Sequence, residues 1–273
     1  MPRRARLDTE LVRRGLARSR QQAAELIADG RVLVRGTPAS KAATAVETDA
    51  PVIVRKDDGP EWASRGALKL LGALEAFEPA GLSVAGRRCL DAGASTGGFT
   101  DVLLSRGAGQ VVAADVGYGQ LIWRLRSDER VHVLDRTNVR SLTPEAIGGQ
   151  VALTVADLSF ISLRTVLPAL TACTEPGGDL VPMVKPQFEV GRRRLGPGGV
   201  VREPELRVAA LREVADAAAQ LGWHPRGAVA SPAPGPAGNV EFFLWLGTGP
   251  GTGGELDETV DAMLERAVRE GPQ

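Results

Sequence analysis

Leu90-Asp91-Ala92-Gly93-Ala94-Ser95-Thr96-Gly97-Gly98-Phe99-Thr100 is the stretch that decides the fold. Arg88–Ala92 reads as a buried strand and Phe99–Arg106 as a helix, so the glycines fall on a strand-to-helix turn, where open α/β sheets hold ligands. Glycine lets a backbone turn tightly and approach a ligand closely, a role assigned here to Gly97. The spacing is Gly93-x-x-x-Gly97-Gly98 behind an acidic Asp91, not the GxGxxG that seats a pyrophosphate on a helix N-terminus. An aspartate there repels phosphate and suits a ligand with a cationic amino-acid end and no phosphate, such as S-adenosylmethionine. Asp91, Gly93, Ala94, Ser95, Thr96 and Gly97 are therefore the candidate cofactor loop.

Working outward, the next strand, 110–114, ends at Asp115, whose carboxylate is placed to accept both ribose hydroxyls of an adenosine. After a third strand, 131–134, comes Asp135-Arg136-Thr137-Asn138, with Asn138 the candidate for the adenine edge. Strands at 151–156 and 179–184 alternate with helices at 163–173 and 205–221, which implies a parallel sheet covered by helices. Two final strands, 226–231 and 240–246, have no helix between them and read as an antiparallel pair closing the sheet edge. The fold class is thus α/β: a Rossmann-like class I methyltransferase sheet of seven strands, the last pair antiparallel, with a small α+β N-terminal RNA-binding domain. The domain organisation reads as 1–56 RNA-binding domain, 57–63 linker, 64–247 catalytic domain, and 248–273 linker plus a C-terminal amphipathic helix that packs on the core.

The charge distribution supports that division. The whole chain balances 33 Lys and Arg against 33 Asp and Glu, yet residues 1–56 hold 12 basic and 6 acidic side chains. A basic small domain on a mildly acidic larger one suits a polyanion-binding appendage. Helical spacing over 7–14, a Ser19-capped helix through 21–27 and short strands at 31–34 and 51–54 make a helix–helix–strand unit. It resembles the αL-type RNA-binding module of a small-subunit ribosomal protein, pseudouridine synthases and tyrosyl-tRNA synthetases. Arg13, Arg14, Arg18 and Arg20 at its helix–helix corner, with Arg4 and Arg6, are the candidate phosphate contacts.

Further motifs are Ser64-Arg65-Gly66-Ala67-Leu68-Lys69, Ala156-Asp157-Leu158-Ser159-Phe160-Ile161-Ser162, Val184-Lys185-Pro186-Gln187-Phe188-Glu189 and Gly238-Asn239-Val240-Glu241. With the glycine loop and the basic N-terminus, they make nearly the whole chain resemble the TlyA family of haemolysin-named rRNA 2′-O-methyltransferases, whose catalytic domain is FtsJ/RrmJ-like. The resemblance implies a Lys-Asp-Lys-Glu tetrad on Lys69, Asp157, Lys185 and Glu241, S-adenosylmethionine as cofactor with Asp157 also beside it, and methylation of cytidine ribose in 16S and 23S rRNA or ribosomal subunits. Asp157 and Lys185 follow the fourth and fifth strands, and Glu241 opens the last one. A ribose hydroxyl is a poor nucleophile at neutral pH, so a lysine disfavoured as ammonium by burial and by Lys69 is suited to accept its proton. The linker departs from the family's Arg-x-Trp-Val, reading Pro60-Glu61-Trp62-Ala63. Gly191-Arg192-Arg193-Arg194 is a second basic loop, read equally as an RNA phosphate clamp or as a solvated surface loop.

Two rival classes remain: a membrane-active haemolysin, and a non-catalytic ribosome-binding factor. The first requires an apolar span or insertion surface, and no run approaches about 18 uninterrupted apolar residues. No secretory signal is expected, since the basic start leads into Leu7-Asp8-Thr9-Glu10 and not into an apolar run, and neither a disulfide framework nor a zinc site is expected, since Cys89 and Cys173 lack CxxC or His pairing. The expectation is a cytoplasmic protein without a membrane partner, monomeric by default.

Overall fold

The computed structural model describes residues 4–28, 30–55, 62–191, 194–235, 237–249 and 259–272. The chain divides into two units, Met1–Glu61 and Trp62–Gln273. Most of the expected linker, residues 57–61, lies outside the described residues, as do residues 250–258 of the second expected linker.

In the first unit, helices α1 (Leu7–Arg13) and α2 (Arg20–Ala28) bury Leu7, Leu11, Ala23 and Ile27 against Val32 and Val46. Each leucine so buried contributes about 2 kcal/mol. Gly15, with φ +69°, follows α1, and Ser19 Oγ accepts the Gln22 N–H at 3.1 Å to start α2. Strands β2 (Val32–Val34), β3 (Thr37–Pro38) and β5 (Val52–Val54) form one small sheet. A pair absent from the sequence reading joins β1 (Arg4–Arg6) antiparallel to β4 (Ala45–Glu47). Three residues alternating two arginines around an alanine carry too little periodicity to announce a strand.

Two buried carboxylates organise this unit. Asp8 accepts both Arg6 Nε and Nη2, at 3.0 and 2.9 Å, and Arg20 Nη2 at 2.9 Å. Glu10 accepts Arg13 Nε at 2.8 Å and Arg14 Nε at 2.6 Å. The Arg6 guanidinium holds the Asp8 carboxyl well below the usual range, while Arg13, ahead of the opposing effect of burial, takes Glu10 down to about 2. Because both folded-state values are depressed, the stability these pairs supply is complete at neutral pH and lost only as pH falls into strong acid.

The second unit is a seven-stranded sheet built of β6 (Arg88–Ala92), β7 (Gln110–Ala114), β8 (Val131–Leu134), β9 (Val151–Ala156), β10 (Thr174–Val184), β11 (Trp223–Ala230) and β12 (Phe242–Thr248). Its order is β11-β12-β10-β9-β6-β7-β8. Alternate strand residues face two separate cores, because successive side chains of a strand point to opposite faces. Leu90 and Val112 meet α6 (Leu163–Cys173), α8 (Pro204–Ala219) and α9 (Val260–Glu270). Cys89 and Val111 meet α3 (Gly66–Phe77) and α4 (Gly98–Ser105). Met263, Leu264, Ala267 and Val268 bring α9 into the first of these cores.

Strands β6 to β10 pair in parallel, and β12 runs antiparallel to both β10 and β11. The antiparallel last pair thus takes a particular form: β12 inserts between β10 and β11, leaving β11 on the edge. The chain moves outward from β6 through β7 to β8 and then returns to β9 on the other side of β6. The carboxyl ends of β6 and β9 therefore flank the switch point, where a crevice opens in such sheets.

Candidate active site

The switch-point loop is built on Asp91 and Asp115. Asp91 is fully buried at the end of β6, where its Oδ2 accepts Thr100 Oγ1 at 2.7 Å and its Oδ1 has no hydrogen-bond partner among the described residues. Burial pushes this carboxyl up to about 7, against the Thr100 hydrogen bond, and the Asp157 and Asp115 charges add to the rise. Asp115 clamps the loop from β7: Ser95 N donates to its Oδ2 at 2.8 Å and Gly117 N to its Oδ1 at 2.7 Å. Gly93 N and Ala94 N both donate to Ala114 O, at 2.8 and 3.1 Å, and Thr96 O accepts Ile122 N at 3.2 Å.

Two glycines are required here, for different reasons. Gly93 has φ +91°, and a Cβ on it would collide with the Asp157 backbone oxygen, so it lets the loop touch the end of β9. Gly97 has φ +104° as the residue preceding α4, and a Cβ there would run into Leu121 and Leu125. Gly97 thus has a structural reason to be glycine, a left-handed turn packed against apolar side chains, beside the ligand approach expected of it from sequence.

The four charges of the tetrad come together as two oppositely charged pairs. Lys185, buried at the end of β10, sits 2.6 Å from Asp157 Oδ1 and donates to Ser159 Oγ at 3.1 Å. Lys69, on α3, donates to Glu241 Oε2 at 2.5 Å, and the buried Glu241 Oε1 has no hydrogen-bond partner among the described residues. The neighbour that the structure places beside Lys185 is thus a carboxylate, while the Lys69 ammonium is tied to Glu241. Charges this deep persist only when paired. Asp157 N donates to Ala92 O at 3.0 Å, which joins the Lys185–Asp157 pair to the cofactor loop through backbone.

Phe160 was no sequence candidate. It stands 91% exposed with φ +64°, its ring centroid 5.5 Å from that of Phe188. A bulky residue held exposed in the left-handed region is a strained arrangement, found where a surface has work to do. Its loop is tied down by buried Glu189, which accepts Ser162 Oγ at 2.5 Å and Leu163 N at 2.7 Å at the start of α6. The only hint in sequence was an aromatic flanked by two serines next to Asp157, which reads equally well as packing.

Other candidates have local duties. Asn138 Oδ1 accepts Arg140 N at 3.0 Å and caps a short 3-10 turn. Arg14 is only 20% exposed and donates to Ala50 O and Thr48 O as well as to Glu10, so it is a structural strut and not a free phosphate contact. Arg6, Arg13 and Arg20 are ion-paired from beneath yet remain half or more exposed, and Arg4 lies 3.6 Å from Glu47. Arg18 is exposed and has no acidic partner among the described residues. Arg192 and Arg193 lie outside the described residues; Arg194 lies 3.7 Å from Glu213.

This sheet order, with an acidic glycine loop at its switch point and two lysine–carboxylate pairs beside it, defines a methyltransferase domain of the S-adenosylmethionine-dependent class. The FtsJ-like methyltransferase family matches residues 62–248, and the S4 domain family matches residues 5–52. The chain belongs to the TlyA family of FtsJ-like methyltransferases: it is 63% identical over 277 residues to the 16S/23S rRNA (cytidine-2′-O)-methyltransferase TlyA of Mycobacterium tuberculosis, with all of both chains covered. Hemolysin A of Brachyspira hyodysenteriae is 35% identical, covering 87% of this chain and 98% of that one. Among solved structures, a protein of Streptococcus thermophilus with a provisional hemolysin name superimposes with a TM-score of 0.75 at 36% identity, covering 99% of this chain and 97% of that one.

Proposed function

We propose that this protein transfers a methyl group from S-adenosylmethionine to the ribose 2′-oxygen of cytidines in 16S and 23S rRNA. The observation that carries this reading is the backbone contact between the cofactor loop and the Asp157–Lys185 pair. It sets a proton acceptor beside the place where a methyl donor would lie. The residues fit that donor: the unpartnered Asp91 Oδ1 suits its ammonium, Gly93 keeps the loop close to β9, and the Asp115 oxygens retain lone pairs for ribose hydroxyls. When bound, the cofactor supplies an electrophilic methyl on a sulfonium.

The chain's own residues do the rest. Asp157 and Ser159 hold Lys185 Nζ from two sides, which directs its remaining valence toward an incoming 2′-hydroxyl. Lys185 must first give up its ammonium proton to solvent; Nζ would then take the hydroxyl proton as the ribose oxygen receives the methyl group that the cofactor would supply. The proton then rests on an ammonium already paired with Asp157. Phe160 offers an aromatic face on which a base turned out of its helix stacks, the usual way a protein grips an unpaired nucleotide.

The two names carried by relatives point in different directions. The rRNA methyltransferase name belongs to the relative of much higher identity, and among the described residues no helix is long and apolar enough to cross a membrane. The test is mass spectrometry of nucleosides and RNase fragments from purified rRNA incubated with the protein and cofactor. The expected product is 2′-O-methylcytidine, with resistance to alkaline cleavage at the following phosphodiester. Methyl on a base, or none at all, would refute the reading.

The cofactor should also bind with a particular pH dependence. Asp91 in the free protein titrates near 7, and a cationic amino group binds the ionised carboxylate. Between pH 7 and 5, cofactor affinity should therefore fall, approaching about tenfold per pH unit, because each binding event must first remove a proton from Asp91. Asp91→Asn should bind weakly with a flat profile over this range in calorimetry. A wild-type profile that is equally flat would remove Asp91 from the ammonium site.

A further inference from the structure

Gly72 lies in the interior of α3, three residues after Lys69, where the helix gains nothing from glycine's conformational freedom. A Cβ at this position would lie 2.7 Å from both Cδ and Cγ of Pro232, and a proline ring has no flexible end to swing aside. Pro232 begins the connection between β11 and β12. The neck of that connection is closed by Ser231 N donating to Glu241 O at 2.8 Å, and Ser231 Oγ donates to Ala233 O at 2.8 Å. That bond ties the backbone next to Pro232 to the backbone of Glu241. On the other side of the same loop, a Cβ at Gly235 would lie 2.6 Å from Glu241 Oε1. Residues three apart share a helix face, so the face of α3 that presents Lys69 to Glu241 also presents Gly72 to Pro232.

We infer that Gly72 is a positioning residue, whose bare contact with Pro232 sets the spacing between α3 and the β11–β12 connection and so holds Lys69 within reach of Glu241. The inference rests on reading Lys69 and Glu241 as part of the reactive site. Alanine is the better helix former, so Gly72→Ala should not disrupt α3 itself. Its methyl pushes Pro232, and Glu241 with it, away from Lys69. A displacement on the order of 1 Å should lower kcat by about 10- to 100-fold, with KM for cofactor and for rRNA unchanged within about twofold. In Gly72→Ala/Pro232→Ala the colliding Cγ and Cδ are gone, and the remaining Cβ sits at an ordinary 3.7 Å, so most of the lost kcat should return.

Steady-state kinetics of both variants beside Lys69→Ala form the test. Wild-type kcat in Gly72→Ala, with Lys69→Ala inactive, would overturn the spacer alone. A Gly72→Ala defect that the second substitution fails to relieve would overturn it too. Wild-type turnover in Lys69→Ala would sink the reading of the site, and the spacer with it.

Discussion

Lys185→Ala should bind cofactor and rRNA as the unsubstituted protein does and transfer methyl about 10³-fold more slowly in a single turnover. That figure is the middle of what a positioned general base contributes. Binding should survive because Asp157 and Ser159 are the polar partners of Lys185 Nζ, and the Asp157 side chain is already 25% exposed with its partner in place. Lys185→Arg should fail to a similar degree. It preserves the charge beside Asp157, but a guanidinium does not deprotonate in the working range and so cannot accept the 2′-hydroxyl proton. The pair of variants separates base from counter-ion: near-normal turnover in Lys185→Arg would show that charge alone is needed, and near-normal turnover in Lys185→Ala would dismiss the residue from the chemistry.

Removal of residues 1–56 should leave cofactor affinity intact and lower rRNA affinity by about 100-fold or more at low salt. The second unit's two cores consist of its own residues, from Ala67 to Val268, so the methyltransferase fold keeps its packing. The lost affinity is electrostatic. Arg6, Arg13, Arg18 and Arg20 are exposed guanidiniums, and losing about four phosphate contacts should flatten the slope of log K against log salt by about 3. Within the full-length protein, Arg18→Ala should reduce that slope by about one. Arg14→Ala should instead destabilise the unit, because Arg14 ties Glu10 to the backbone at Thr48 and Ala50. An unchanged salt slope in the shortened protein would place the RNA-binding surface elsewhere.

The sheet was legible because its signals are local. Buried strands, the glycine turn after Asp91 and the missing helix before β12 all act over a few residues, and the structure has each of them. Legibility stopped where a residue's role depends on what lies across from it. Asp8 and Glu10 look like ordinary helix-surface acids, yet they are buried and each gathers two arginines. Gly97 and Gly93 look alike in the loop, but one faces Leu121 and Leu125 and the other faces the end of β9. Asn138 is a polar residue in the expected place whose oxygen also caps its own backbone turn.

By itself, the amino-acid sequence determined the class of the protein: the alternation of strands and helices, the acidic glycine loop and the segregated charge, while the tetrad on Lys69, Asp157, Lys185 and Glu241 was implied by the family resemblance. Backbone preference and hydrophobic period are short-range properties, so they are written in contiguous residues. Tertiary structure alone decided how those four charges are used. Lys69 and Glu241 stand 172 positions apart and meet only because β12 is inserted beside β10 while α3 packs across the sheet. Which lysine faces which carboxylate, which oxygens stay unpartnered and which aromatic is left in solvent follow from that packing. Pairing energy falls off within a few ångströms, and chain separation carries no information about distance once the sheet has closed.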